Sequence, residues 1–196
     1  MITQNKAYYL TNCFSRSFCD EIIDFAKPQD KLTALTGEIG EEQKKVRNSK
    51  VTWLEEPWIA REIMDACRMA NERAEWNFVL NTLEKMQFTI YDSSGQHYEW
   101  HTDSNFKGRF SFRKLSFSLQ LSEPWDYGGG QLLIDNDFNK SFKNKSLKHT
   151  EFSFETTWLP KGTIVFFPSY QWHKVTPVFR GTRYSLVGWF NGPRFV

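Results

Sequence analysis

Apolar positions change their spacing once along this chain. Up to about residue 80 they recur at helical intervals, and from Leu83 onward they fall in short runs cut by turn residues. After a short strand-and-turn segment at 1–14, Ser17-Phe-Cys-Asp20 has the spacing of a capping box, with Asp where Glu or Gln is usual. Phe18, Ile22, Ile23 and Phe25 then predict one face of a helix ending near Pro28. Residues 29–47 are polar and predict a loop; 46–54 alternates enough for a strand. Pro57 opens a long second helix at the position where its missing N–H costs nothing. Ile59, Ile63, Ala66, Cys67, Ala70 and Ala74 follow the 3.6-residue period of that helix. The later strands are predicted at 84–91, 97–102, 112–121, 130–135, 151–158, 163–167, 171–178 and 183–190. Turn signals separate them at Asp92-Ser-Ser-Gly95, Gly128-Gly-Gly130, Pro160-Lys-Gly162 and Arg180-Gly181. Short strands after a helical layer predict a mainly β fold with flanking helices. The expected form is a double-sheet jelly roll over about 83–191, supported by helices over about 14–80.

Composition narrows this only a little. No repeat, low-complexity tract or linker divides the 196 residues, so one domain over 1–196 is expected. The 18 Phe and 8 Trp reinforce the β-rich expectation. A formal charge of +2 is too small to point to nucleic acid or a membrane surface. No apolar run reaches the roughly 20 residues that cross a bilayer. The N-terminus lacks a secretory h-region, so a cytoplasmic location is expected. Cys13, Cys19 and Cys67 lack metal-site spacing and read as reduced packing residues. The lysine-rich stretch 136–150 reads as a solvated loop, with substrate attraction as the alternative. With no oligomerisation signal, a monomer is expected.

The chemistry concentrates in a few side chains. His101-Thr-Asp103 places an imidazole and a carboxylate two residues apart, on one face if both lie in a strand. His173, on a late predicted strand, is the best third ligand among the 4 histidines. Two imidazoles and one carboxylate leave coordination positions open, as in the facial triad of non-haem Fe(II) sites. Zinc more often takes a closed nitrogen and sulfur set, and no cysteine is placed to supply one. Arg183 follows His173 after a predicted turn, within an apolar flank that predicts burial. A buried arginine needs an anionic partner, and its planar fork suits a carboxylate. Ser185 points to the same strand face and can add a hydroxyl.

Taken together, Tyr91-x6-Tyr98-x2-His101-x-Asp103, Gly129-Gly130-Gln-Leu132 and His173-x9-Arg183-Tyr-x4-Trp189 resemble the prolyl 4-hydroxylase branch of the 2-oxoglutarate oxygenases. The run from His173 to Arg183 is especially similar to PKHD-type hydroxylases. The resemblance covers about residues 84–191, and more weakly the N-terminal helix and Arg47–Leu54. It implies a double-stranded β-helix holding Fe(II) and using 2-oxoglutarate and O2, with ascorbate supporting activity. It implies hydroxylation of a prolyl residue in a peptide or protein, with succinate and CO2 as co-products. By the same resemblance, Tyr91 and Leu132 line the 2-oxoglutarate pocket and Arg183 grips the co-substrate carboxylate. Arg113, Trp189 and Tyr98 lie toward the substrate. Gln120 stands where relatives often have a tyrosine sharing that carboxylate, a departure that leaves its role open. His97 is close enough in sequence to sit near the site; His149 falls in the lysine-rich loop.

Two alternatives stay open. One keeps the oxygenase chemistry but directs it at another side chain or a small molecule. A nucleobase is disfavoured, because Trp189 occupies the place where that branch carries a second arginine. The other is a non-catalytic, cupin-like metal-binding module or a degenerate peptide-binding scaffold. Such a module has no need of Arg183.

Overall fold

The computed structural model describes residues 7–29, 32–34, 47–104, 110–135, 152–155 and 159–194. In chain order they form β1 (Tyr8–Leu10), α1 (Arg16–Ala26), β2 (Leu32–Ala34), β3 (Arg47–Leu54) and α2 (Pro57–Arg73). Next come β4 (Thr82–Leu83), β5 (Met86–Asp92), β6 (His97–His101), β7 (Arg113–Gln120), β8 (Tyr127–Gly129) and β9 (Leu132–Asp135). β10 (Phe152–Glu155), β11 (Ile164–Pro168), β12 (His173–Val175) and β13 (Val178–Asn191) complete the chain. The lysine-rich stretch 136–150, and most of 29–47 and 104–111, lie outside the described residues. No helix among the described residues is long and apolar enough to cross a membrane.

The strands form a curled antiparallel sheet in the order β1-β11-β7-β13-β5-β3-β6-β12-β9-β10. β3 makes the bend. Its later residues pair with β5, while Arg47 and Asn48 pair with Tyr98 and His97 of β6. The result is two facing sheets of a jelly roll, as expected, with a cavity between them.

The local signals were read correctly in kind but not always in place. α1 is capped by Ser15, whose Oγ accepts the Phe18 N–H at 3.1 Å, so the predicted box at Ser17 is two residues late. Its buried face is Cys19, Ile22 and Ala26, whereas Phe25 is exposed and meets Trp58 edge-on. Pro57 does open α2 at its first turn. Cys19 and Cys67 are buried packing residues, but Cys13 is exposed. The predicted turn at Arg180-Gly181 is not a turn. β13 runs through it, with Gly181 at φ 69° and a register shift against β8. The break falls instead between β12 and β13, at Thr176-Pro177, where proline has no N–H to continue a ladder.

Alternation divides each central strand between two environments. Phe88 and Ile90 of β5, Leu115, Phe117 and Leu119 of β7, and Leu186 and Phe190 of β13 pack against α1 and α2. Burying one such side chain stabilises the fold by about 1.5–3 kcal/mol. The residues between them turn to the other face. Every position of β7 is buried, including Ser116, Ser118 and Gln120. Buried polar side chains need partners: Ser118 lines the inter-sheet cavity, Ser116 bonds Asp103, and Gln120 bonds Arg183.

Candidate active site

The structure brings His101, Asp103 and His173 together, with one ligand atom from each lying within 4.8 Å of the others. His101 and His173 are direct partners across β6 and β12. The strand argument for Asp103 needs correction: β6 ends at His101, and Asp103 lies beyond it. Its position is fixed by the backbone, since the N–H groups of Asp103 and Ser104 both donate to the Ser169 carbonyl at 2.9 Å. The Ser116 hydroxyl then donates to Asp103 Oδ2 at 2.7 Å and lies 3.0 Å from Ser169 Oγ.

Both imidazoles are aimed. His101 Nδ1 lies 2.7 Å from the Glu99 carbonyl and His173 Nδ1 lies 2.9 Å from that of Gln171. A carbonyl only accepts, so Nδ1 carries the hydrogen on each ring and Nε2 keeps its lone pair. Those Nε2 atoms stand 3.6 and 3.4 Å from the two Asp103 oxygens. Ligands about 2.1 Å from one ion sit about 3 Å apart when cis, so the three atoms need little movement to share a metal. Burial, with His101 close by, pushes the His173 pKa down to about 4. Burial alone would raise the Asp103 carboxyl, but the facing imidazoles and the Ser116 hydroxyl hold it well below the usual carboxylate range. A neutral imidazole and an ionised carboxylate are the forms that bind a metal. Ser116→Ala should therefore weaken ferrous binding by about tenfold, the low end for losing a group that orients a ligand. Calorimetric titration of the variant under argon checks this.

Arg183 forms the back of the same cavity, whose volume is about 680 Å³. Its side chain is 1% exposed. Nη1 donates to Ser185 Oγ at 3.3 Å and Nη2 to Gln120 Oε1 at 3.2 Å. No carboxylate among the described residues pairs with it, and its Nε and the Gln120 Nε2 have no hydrogen-bond partner there. Gln120 does not line the cavity; it braces the arginine from behind. The guanidinium carbon stands 5.5 Å from the centre of the Tyr91 ring, and Leu132 forms part of the wall. Burial raises the Tyr91 phenol, keeping it neutral. Gly130 lets the arginine lie here: it has φ 65°, and a Cβ would come within 2.9 Å of Arg183 Cδ.

The mouth is aromatic and arginine-rich. Arg113 is buried. Its Nε and Nη2 donate to the two oxygens of Glu84 at 2.8 and 2.6 Å, and its guanidinium lies 3.9 Å from the Trp189 ring centre and 4.2 Å from that of Phe110. Tyr98 lines the cavity and stacks on His101 at 3.5 Å. A bulge explains this. Three residues of β12 (173–175) oppose four of β6 (98–101), so Tyr98 and His101 share a face despite their odd spacing. His97 is not in the lining; its Nδ1 bonds the Gly95 carbonyl. His149 lies outside the described residues. Strand periodicity alone did not find Arg47, Trp53, Glu84, Gln87, Phe110 or Ser118, which also line the cavity. For Gln87 and Ser118 a signal existed: polar residues alternate there within strands otherwise too apolar to be half-solvated.

A family model described as the 2OG-Fe(II) oxygenase superfamily matches residues 86–191. A PKHD-type hydroxylase of Synechococcus sp. (strain CC9605) is 38% identical over 101 residues, covering 50% of this chain and 38% of that protein. The chain thus spans about two fifths of the length of the curated relatives it matches. Among solved structures, a Pseudomonas putida prolyl-4-hydroxylase aligns with TM-score 0.67 at 20% identity, over 96% of this chain and 93% of that one. A viral collagen prolyl hydroxylase from Paramecium Bursaria Chlorella virus-1, in its 2OG complex, aligns with TM-score 0.68 at 20% identity, over 96% and 97%. These two likenesses establish a shared fold. The family model spans more than half of the sequence, including all three residues of the cluster and the arginine behind it, and this chain belongs to the 2OG-Fe(II) oxygenase superfamily.

Proposed function

We propose that this chain is a dioxygenase that hydroxylates a prolyl residue of a peptide or protein. His101, Asp103 and His173 would hold the ferrous ion. Arg183, with Ser185, Tyr91 and Leu132, would take the 2-oxoglutarate, and Gln120 would hold the arginine in place. The bound iron supplies the oxidation: one oxygen atom of O2 enters a substrate C–H bond and the other enters succinate, formed from 2-oxoglutarate with loss of CO2. The protein's part is positional. It aims three ligands, gives one carboxylate a buried cationic seat, and surrounds the reacting atoms with low-dielectric walls.

The observation that carries this proposal is Arg183, a buried cation with no carboxylate among the described residues, sharing a cavity with a cluster of facial-triad composition. A metal-binding module without co-substrate has no use for such a cation. The prolyl assignment is supported by the flat surface made by Arg113 and Trp189 at the mouth, which suits a pyrrolidine ring and its backbone. Structural neighbours named as prolyl hydroxylases support it further. The test is anaerobic loading with Fe(II) and 2-oxoglutarate, then O2 with ascorbate and a proline-rich peptide library. Succinate release should accompany peptides heavier by one oxygen atom at proline. Succinate with oxygen on another residue type would reassign the substrate. No succinate above the metal-free control would end the oxygenase proposal.

A further inference from the structure

Among the described residues lining the cavity, the charged side chains other than histidine are Arg47, Arg113, Arg183, Glu84 and Asp103. Arg113 is neutralised by Glu84. In the loaded site proposed above, the ferrous dication and the 2-oxoglutarate dianion cancel, and Asp103 offsets Arg183. Arg47 is left over. Its one hydrogen bond among the described residues runs from Nε to Ser49 Oγ at 3.3 Å, and no carboxylate there pairs with it. Its guanidinium carbon lies 4.6 Å from the Tyr98 ring centre, and that ring stacks at 3.5 Å on His101. The half-buried cation is therefore one aromatic ring away from the metal cluster.

We propose that Arg47 reads a carboxylate on the substrate, so that this site prefers peptides with an acidic residue close to the one acted upon. The inference rests on the oxygenase proposal for its charge balance and deepens it by naming a substrate class. The two ring distances limit the separation of Arg47 from His101 to about two residues of extended chain. The acidic residue accordingly belongs about two positions from the reacting one. A guanidinium with free terminal N–H groups matches a carboxylate through two parallel hydrogen bonds. An aromatic ring beneath it limits the motion lost on pairing.

The test uses four short peptides and the chain loaded with Fe(II) and 2-oxoglutarate under argon, where binding occurs without turnover. The central residue is proline or alanine, and the residues two positions away on both sides are Glu or Gln. Calorimetry should give about tenfold tighter binding for Glu than for Gln, with either centre. High salt should shrink this preference. R47Q should reduce it to within about twofold, and R47K should keep part of it. Equal affinity for Glu and Gln overturns the inference, as does R47Q weakening both peptides alike, or no binding by all four. If R47Q fails to load, Arg47 serves the Tyr98–His101 stack and the inference is likewise overturned. The proline-to-alanine comparison is separate: indifference there, with the Glu preference intact, sinks the prolyl assignment and leaves this one standing.

Discussion

Arg183→Met will lose 2-oxoglutarate affinity while the free protein keeps its thermal stability. The two expectations come from one fact, the absence of a carboxylate partner among the described residues for a residue that is 1% exposed. Truncating one member of a buried, hydrogen-bonded charge pair costs about 2–5 kcal/mol. That is at least about thirtyfold in Kd for the ligand whose carboxylate it meets. Without that ligand the sign changes. An unpaired buried cation is a burden, and an apolar side chain of similar volume is neutral or stabilising in such a place. Titration of 2-oxoglutarate into metal-loaded protein, beside a melting curve of the metal-free protein, separates these effects. A variant that melts early yet binds 2-oxoglutarate normally would show that the arginine serves the fold. Arg183→Lys should fall between, because an ammonium keeps the charge but not the fork that Ser185 and Gln120 brace.

Asp103→Asn should abolish useful ferrous binding. Among the described residues the carboxylate is the one anion facing the two imidazoles, so its amide would leave the cation without charge compensation. Loss of an orienting neighbour costs 10–100-fold in metal affinity, and loss of the ligand charge should exceed about a hundredfold. The amide is nearly the same size, and Ser116 can still bond its oxygen, so the fold should survive. Competition with a chelator of known affinity reads the change directly. Retention of wild-type Fe(II) affinity in Asp103→Asn, with His173→Ala also unaffected, would remove this cluster from the role proposed for it.

The residues proposed to carry this chemistry stood out in the sequence because few side chains can do it. His101, Asp103, His173 and Arg183 combine charge, lone pairs and apolar flanks in a way packing does not require. Two things were harder to see. The first was where elements begin and end. Ser15 rather than Ser17 caps α1, and β13 crosses Arg180-Gly181, because pairing with β8 outweighs the local turn preference of glycine. The second was the meaning of polar residues in strands. Ser116, Ser118 and Gln120 alternate with Leu115, Phe117 and Leu119, and a single strand cannot say whether its polar side meets water or an internal cavity. Only the facing sheet decides that. The contact of Tyr98 with His101 was hidden for a related reason: the bulge in β6 is created by its pairing with β12 and leaves no mark in the local sequence.

β13 sets a limit on how this protein can be altered. Arg183, Ser185, Val187 and Trp189 belong to the cavity, while Leu186 and Phe190 are locked among helix-facing side chains, with Gly188 leaving room for Phe117. Deleting a single residue ahead of Arg183 would turn the guanidinium away from the cavity and Tyr184 into it, reversing the whole strand at one stroke. New specificities must therefore arise by point substitution along this strand or by changes at the rim, never by sliding it.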